Sequence, residues 1–277
     1  MPDSNSEVDM MPYEVSGDSP GIPIVLVPGG LSGWISWKPH AEYLSKRHRV
    51  VRVQLLNMAY AEKGEVPGPD YTLRTESEAL GSTIDSIGIG RVNLVGWSHG
   101  GAVSLDFALN QPERVNTLTL IEPAAYWVGL AQGKFRDEVE QFAALFKSFH
   151  DPPTEEDLIG FLLMNHLVPQ GADPRAAPRW PAWNSMKTSL LSIHTVLEHR
   201  DSARRLSRLR ETPVLLVKGR DSVGFNSGGV DLIAEGIGRN AKVLVLPDGH
   251  ACHIVAQDQF MAALEELVSG SDGSLRS

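Results

Sequence analysis

Residues 91–110 read RVNLVGWSHGGAVSLDFALN. An apolar, β-leaning run (Val92, Leu94, Val95) leads at once into Gly96-Trp97-Ser98-His99-Gly100. Beyond it, Ala102, Val103, Leu105, Phe107, Ala108 and Leu109 are spaced to bury one side of a helix. A strand, a sharp turn and a helix with a serine at the apex give a Gly-x-Ser-x-Gly match its meaning. Such a turn forces the serine into a strained backbone, so the residues two before and two after it must be small. The serine hydroxyl then stands exposed above the strand ends, and the backbone N–H of His99 can face a developing oxyanion. The five residues alone also fit an ordinary glycine-bracketed turn, so the rest of the chain has to decide.

Working outward, residues 22–27 (IPIVLV) form a continuous apolar run of strand length, as a strand buried on both faces requires. It ends in the glycine-rich loop Pro28-Gly29-Gly30-Leu31-Ser32-Gly33. Next come a helix over about 36–46, a strand in HRVVRVQLL, an irregular loop over 57–71 and a helix over 72–87. After the serine-bearing helix, 115–121 (VNTLTLI) is a strand that ends in Glu122-Pro123. Residues 212–218 and 241–246 are two more strands with a helical pattern between them, and a helix over 256–268 closes the chain. Residues 13–16 suit a short edge strand, and 1–10 a polar tail. Apolar strands alternating with helices predict an α/β fold, a mostly parallel, doubly wound sheet covered on both faces.

Between Pro123 and Glu211 the alternation stops. Phe135, Val139, Phe142, Phe146 and Phe149 recur at helical spacing, which predicts an amphipathic helix over 134–150. Thr154 caps a second helix, with Glu155, Glu156 and Asp157 placed for its dipole. A proline-rich link leads to a third helix through 186–198. The domain reading is a core of 1–122 and 211–277 with a helical insertion of 123–210, placed to roof a site at the sheet's carboxyl edge.

At 277 residues and 42% hydrophobic, the chain can bury a full core. A formal charge of −9 argues against nucleic acid or an anionic membrane as partner. The one cysteine, Cys252, excludes an internal disulfide and a cysteine-built metal site. The N-terminus lacks the apolar core of a secretory signal, and no apolar run reaches the ~18 residues a membrane span needs. The expectation is a cytoplasmic protein with a small-molecule partner, no cofactor and no metal; oligomeric state is not readable.

The chain resembles the α/β-hydrolase superfamily over nearly its whole length. The likeness rests on the turn around Ser98, the loop after Val27, and Gly249-His250 after the last strand, in the right order. It implies a sheet of about eight strands, and the 123–210 insertion looks like that family's helical cap. By this resemblance Ser98 is the nucleophile and His250 the base that takes its proton. His253, three residues on, is left structural. The oxyanion hole would pair the N–H of His99 with one from the loop after the first buried strand. There the family's usual His-Gly is replaced by Pro28-Gly29, and Gly30 is assigned as donor with Leu31 as its nearest competitor. The acid is open between two residues. Counting from Gly219, the family's usual position falls on Ser222, with Asp221 one place early. A minority of the superfamily carries the acid at the end of the sixth strand, where Glu122 stands, and Glu122 is favoured. Either choice would accept the Nδ1 proton of the histidine. The loop after QLLN also lacks the family's usual pattern, which makes the cleft floor near residues 57–60 unusual. LVPGGLSG with a sixth-strand glutamate is similar to the zearalenone-type lactone hydrolases; that likeness does not extend to the cap.

Three functions compete. The first is a serine hydrolase cleaving an ester or lactone through an acyl-enzyme. The second is a hydrolase of a C–C bond in a β-diketone-like ring-cleavage product, which a basic pocket residue would favour. The third is a ligand-binding receptor on a hydrolase scaffold. The phenylalanine-rich insertion and six tryptophans suggest an apolar, aromatic substrate, with Leu31 and Trp183 as substrate-binding residues. Trp34, Trp37, Trp97 and Trp180 are further candidate walls.

Overall fold

The computed structural model describes residues 10–169 and 171–272. The polar tail read over 1–10 lies, apart from the exposed Met10, outside the described residues. Seven strands form one sheet: β1 (Tyr13–Ser16), β2 (Ile24–Val27), β3 (Val50–Val53), β4 (Val92–Trp97), β5 (Val115–Ile121), β6 (Val214–Gly219) and β7 (Ala241–Leu246). Their order is β1-β3-β2-β4-β5-β6-β7, with β1 antiparallel to β3 and every other pairing parallel. The count is one below the eight that the family resemblance implied. Each apolar run of the sequence supplies one strand, and the described residues hold no eighth.

Every residue of β2, β4 and β5 is buried, as their unbroken apolar runs require of strands covered on both faces. One face packs against α1 (Lys38–Leu44) and the chain's last helix. The other packs against α3 (Leu73–Ser86), α4 (Ser98–Asn110) and α11 (Gly224–Ile237). Between α1 and α3 stands α2 (Leu56–Glu62), where the sequence suggested irregular loop. Its cap explains why local reading missed it. The N–H groups of Leu56 and Asn57 both end on the carboxylate of Glu76, on a different helix (2.9 and 2.9 Å). Thr154 caps its helix as its position suggested, and Thr72 does the same at the start of α3; each capping box is worth about 1 kcal/mol to its helix.

The insertion is helical. It holds α5 (Tyr126–Leu130), α6 (Arg136–Ser148), α7 (Glu155–Met164), α8 (Trp180–Ser185), α9 (Leu190–Ile193) and α10 (Thr195–Glu198). The single helix expected over 186–198 is broken. Ser192 Oγ donates to Ser189 O, Thr195 Oγ1 to Ser192 O and the His194 ring to Leu191 O, three residues back in each case (3.0, 3.0 and 2.8 Å). Side chains that satisfy carbonyls this way compete with the helical ladder. The chain closes with α12 (Cys252–Val255) and α13 (Gln257–Asp272). Among the described residues, no helix is long and apolar enough to cross a membrane.

Strand register positions the site. Val27 pairs Gly96, Trp97 pairs Ile121, Ile121 pairs Val217 and Gly219 pairs Leu246. Strands that end level deliver their outgoing loops to one edge. Strand order reverses between β2 and β4, where open α/β sheets form their crevice.

Candidate active site

Ser98 is the first residue of α4 and has φ 55°, in the left-handed region. The two glycines around it are required by backbone contacts. A Cβ on Gly96 would lie 2.5 Å from Gly100 O, and one on Gly100 would lie 2.2 Å from Pro28 O. Gly100 N–H donates to that same Pro28 oxygen (3.1 Å), which seats the loop after β2 on the serine turn. Ser98 O in turn accepts from Ala124 N–H (2.9 Å), tying the turn to the end of β5.

His250 follows β7 and is buried. Trp97 Nε1–H donates to its carbonyl (2.9 Å), fixing the backbone from which the ring projects. His250 Nε2 lies 2.8 Å from Ser98 Oγ, and Nδ1 lies 2.7 Å from Glu122 Oε2. A carboxylate only accepts, so the proton is on Nδ1 and Nε2 is bare toward the serine hydroxyl. Glu122, fully buried with φ 37°, also accepts from Gly219 N–H on Oε1 (2.8 Å) and from Ser222 Oγ on Oε2 (2.6 Å). A buried charge needs this many donors.

Of the two acids weighed from the sequence, only Glu122 reaches the imidazole. The Asp221 carboxylate is exposed beside Arg220 (3.4 Å). Local reading could not find Ser222 and Asn226. Asn226 is buried, with Nδ2 3.4 Å from His250 Nδ1. Ser222 acts on a partner 100 positions away, whereas the Asn226 amide only packs beside the ring, because Nδ1 already carries a proton.

Gly30 and His99 come together: a Cβ on Gly30 would stand 2.7 Å from His99 Nδ1. As the second residue of α4, His99 has no helical acceptor for its N–H. Its side chain is buried with neither ring nitrogen partnered. Burial, helped by nearby His194, holds it neutral, with a pKa lowered to about 4. Leu31 and Trp183 share a cavity of about 390 Å³ with Trp34, Met58, Gln54 and Arg179. Trp37 and Trp97, offered above as walls, are instead core residues on the sheet's α13 side, packed around His253. Trp180 stacks under Arg175. His253 is buried among these rings and does not reach Ser98.

Asp106, His199 and Asp201 bring potential metal-ligand atoms within 4.8 Å of one another. Guanidinium groups already occupy the cluster, with Arg74 3.2 Å from Asp106 and Arg205 2.5 Å from Asp201, so its charge is answered without an ion.

A profile of the α/β hydrolase fold family matches residues 22–257. The chain belongs to the α/β-hydrolase fold family. This α/β-hydrolase is 34% identical to 2-hydroxy-6-oxo-2,4-heptadienoate hydrolase of Pseudomonas putida over 104 residues, 36% of this chain and 37% of that protein. It is 25% identical to pimeloyl-[acyl-carrier protein] methyl ester esterase of Nitrosomonas europaea over 264 residues, 92% of this chain and 98% of that one. An esterase from Exiguobacterium antarcticum shares its fold with a TM-score of 0.75 at 20% identity, covering 94% of this chain and 96% of that one. Hydrolysis is the activity class these α/β-hydrolases have in common.

Proposed function

We propose that the protein is a serine hydrolase that cleaves a carboxylic ester or lactone of an apolar small molecule through an acyl-enzyme. The observation that carries this reading is the line of hydrogen bonds from Ser98 Oγ through His250 to Glu122. In the first half-reaction Ser98 Oγ attacks the carbonyl carbon while its proton passes to His250 Nε2. The imidazolium is steadied by Glu122, and the new oxyanion faces the N–H groups of Gly30 and His99. The proton on Nε2 then leaves with the alkoxide, and the acyl group stays on Ser98. Water, deprotonated by the same nitrogen, attacks that ester and frees the acid. Residues 123–210 serve as the cap, and Leu31 and Trp183 as substrate walls. Similarity to a methyl ester esterase supports ester chemistry.

The test is covalent. A fluorophosphonate should label Ser98, located by mass spectrometry. Ser98→Ala should abolish turnover of p-nitrophenyl acetate without changing the melting temperature. Residual turnover within tenfold of wild type would rule Ser98 out.

One observation favours the C–C bond reading of the same machinery. Arg179, half-buried in the cavity beside Leu31 and Trp183, has no carboxylate partner among the described residues. Glu62, the acid in that cavity, is bound by Gln54 (2.7 Å). An unpaired guanidinium suits a carboxylate. Leu31 joins this cavity to the loop of Gly30, although Ser98 and His250 are not among its lining residues. If Arg179→Ala weakens turnover of acid-bearing substrates and spares neutral esters, this second reading gains; equal effects on both would remove its support.

A further inference from the structure

We propose that Asn57 is a positioning residue that pins the peptide unit after Gly30 and so holds in place the loop that carries the Gly30 donor of the oxyanion hole; the inference rests on the serine-hydrolase reading above. Gly30 lies between two peptide units, and both are anchored through their oxygens. Gly29 O accepts from Ser32 N–H and Gly33 N–H (3.2 and 3.4 Å). In a trans peptide the C=O and N–H point opposite ways, so the Gly30 N–H is turned away from that pair. The next unit is held by Asn57, whose Nδ2 donates to Gly30 O at 3.0 Å. Only the amide nitrogen can donate to a carbonyl, which fixes the orientation of the side chain.

Asn57 is itself immobile. It is fully buried, and its own N–H and that of Leu56 are both held by Glu76, whose carboxylate also takes the Tyr71 hydroxyl. The need for such an anchor follows from the glycine. A Cβ at position 30 would stand 2.7 Å from His99 Nδ1 and 3.1 Å from Ile193 Cγ1, so no side chain fits to restrict the backbone. A glycine left to itself samples a wide range of φ and ψ. Hydrogen bonding supplies the stiffness that a side chain cannot. Asn57 Oδ1 is meanwhile buried without a partner, a cost that an apolar residue filling the same space would avoid. The start of α2, which stands where the sequence suggested irregular loop, thus carries the brace of the site.

The experiment uses the full chain and a fluorophosphonate, whose phosphoryl oxygen takes the oxyanion's place as Ser98 Oγ displaces fluoride and passes its proton to His250. Removing an oxyanion donor costs about 10²–10³ in rate, and misaiming one should cost part of that. Asn57→Ala should therefore slow the maximal inactivation rate about 10- to 100-fold. The reagent's half-saturating concentration should stay within about twofold, which general loosening of the fold would not preserve. Should Asn57→Ala fail to fold, Asn57→Ser takes its place, because a hydroxyl is too short to reach Gly30 and the same slowing is expected. A folded variant labelled at the wild-type rate overturns the positioning role alone. Failure of wild-type Ser98 to be labelled overturns the serine-hydrolase reading and this inference with it.

Discussion

Ser222 donates its hydroxyl to Glu122 Oε2 at 2.6 Å, the same oxygen that faces His250 Nδ1. The position where the superfamily usually carries its acid here holds a donor to an acid on another strand. The end of β6 and the loop after it still serve the imidazole, at one remove: they supply Gly219 N–H and Ser222 Oγ to hold the carboxylate still.

Removing that donor should weaken the hold without breaking it. Ser222→Ala should lower kcat for a p-nitrophenyl ester about tenfold and leave KM nearly unchanged, as for a lost hydrogen bond to a charged group. An unchanged kcat would mean that Gly219 N–H suffices.

The acid itself should matter far more. Glu122→Gln keeps the shape but favours the wrong tautomer of His250, and kcat should fall by about 10⁴. Asp221→Asn should cost less than about tenfold, since it alters an exposed charge. Steady-state kinetics on the two variants, with circular dichroism to confirm folding, would reverse the assignment if the losses were exchanged.

Stability should fall on mild acidification. Burial lowers the pKa of His40 and His99 to about 4 and holds His253 well below 6.5. These rings stay neutral in the fold, whereas the unfolded chain protonates them near pH 6.5. Their contribution is complete above that pH and is lost as pH drops from 6.5 toward 4, at up to ~1.4 kcal/mol per pH unit for each histidine. Urea midpoints measured from pH 7 to pH 5 should decline, and His253→Leu should flatten the slope. A flat profile in the wild type would contradict the buried, uncharged assignment.

The serine turn should reject any side chain at its second glycine. Gly100→Ala forces a Cβ onto Pro28 O and Val27 O, and should cost about 1–3 kcal/mol along with most of the activity. Gly90→Ala meets nothing within 4 Å and should shift stability by less than about 0.5 kcal/mol. Thermal melting of the two proteins decides it; equal melting temperatures would mean that the turn yields.

The sequence revealed the features whose causes are local. The serine turn was readable because Gly96 is forced by backbone contact with Gly100, a few residues on, and the two glycines bracket the serine in one short pattern, although what forbids a side chain at Gly100 is the distant Pro28 O. The Thr154 cap was readable because it bonds three residues on. Residues acting across the chain were not readable. Ser222 lies 100 positions from Glu122, and Asn57 27 from Gly30. α2 depends on a carboxylate from α3, and nothing between residues 56 and 62 announces it. The 186–198 segment failed for the opposite reason. Its apolar spacing is helical, but Ser192, His194 and Thr195 spend their polar groups on carbonyls three residues back.

Ser98 and His250 are 152 positions apart, and Glu122 and His250 are 128 apart. On the serine-hydrolase reading proposed above, a chain emerging from the ribosome as far as α11 would already contain its proposed nucleophile Ser98 and acid Glu122, yet it would be chemically silent. The imidazole arrives only when β7 and the segment after it dock. Such distant pairings are late and slow events in folding. The first appearance of hydrolysis during refolding is therefore a label-free clock for that last docking step.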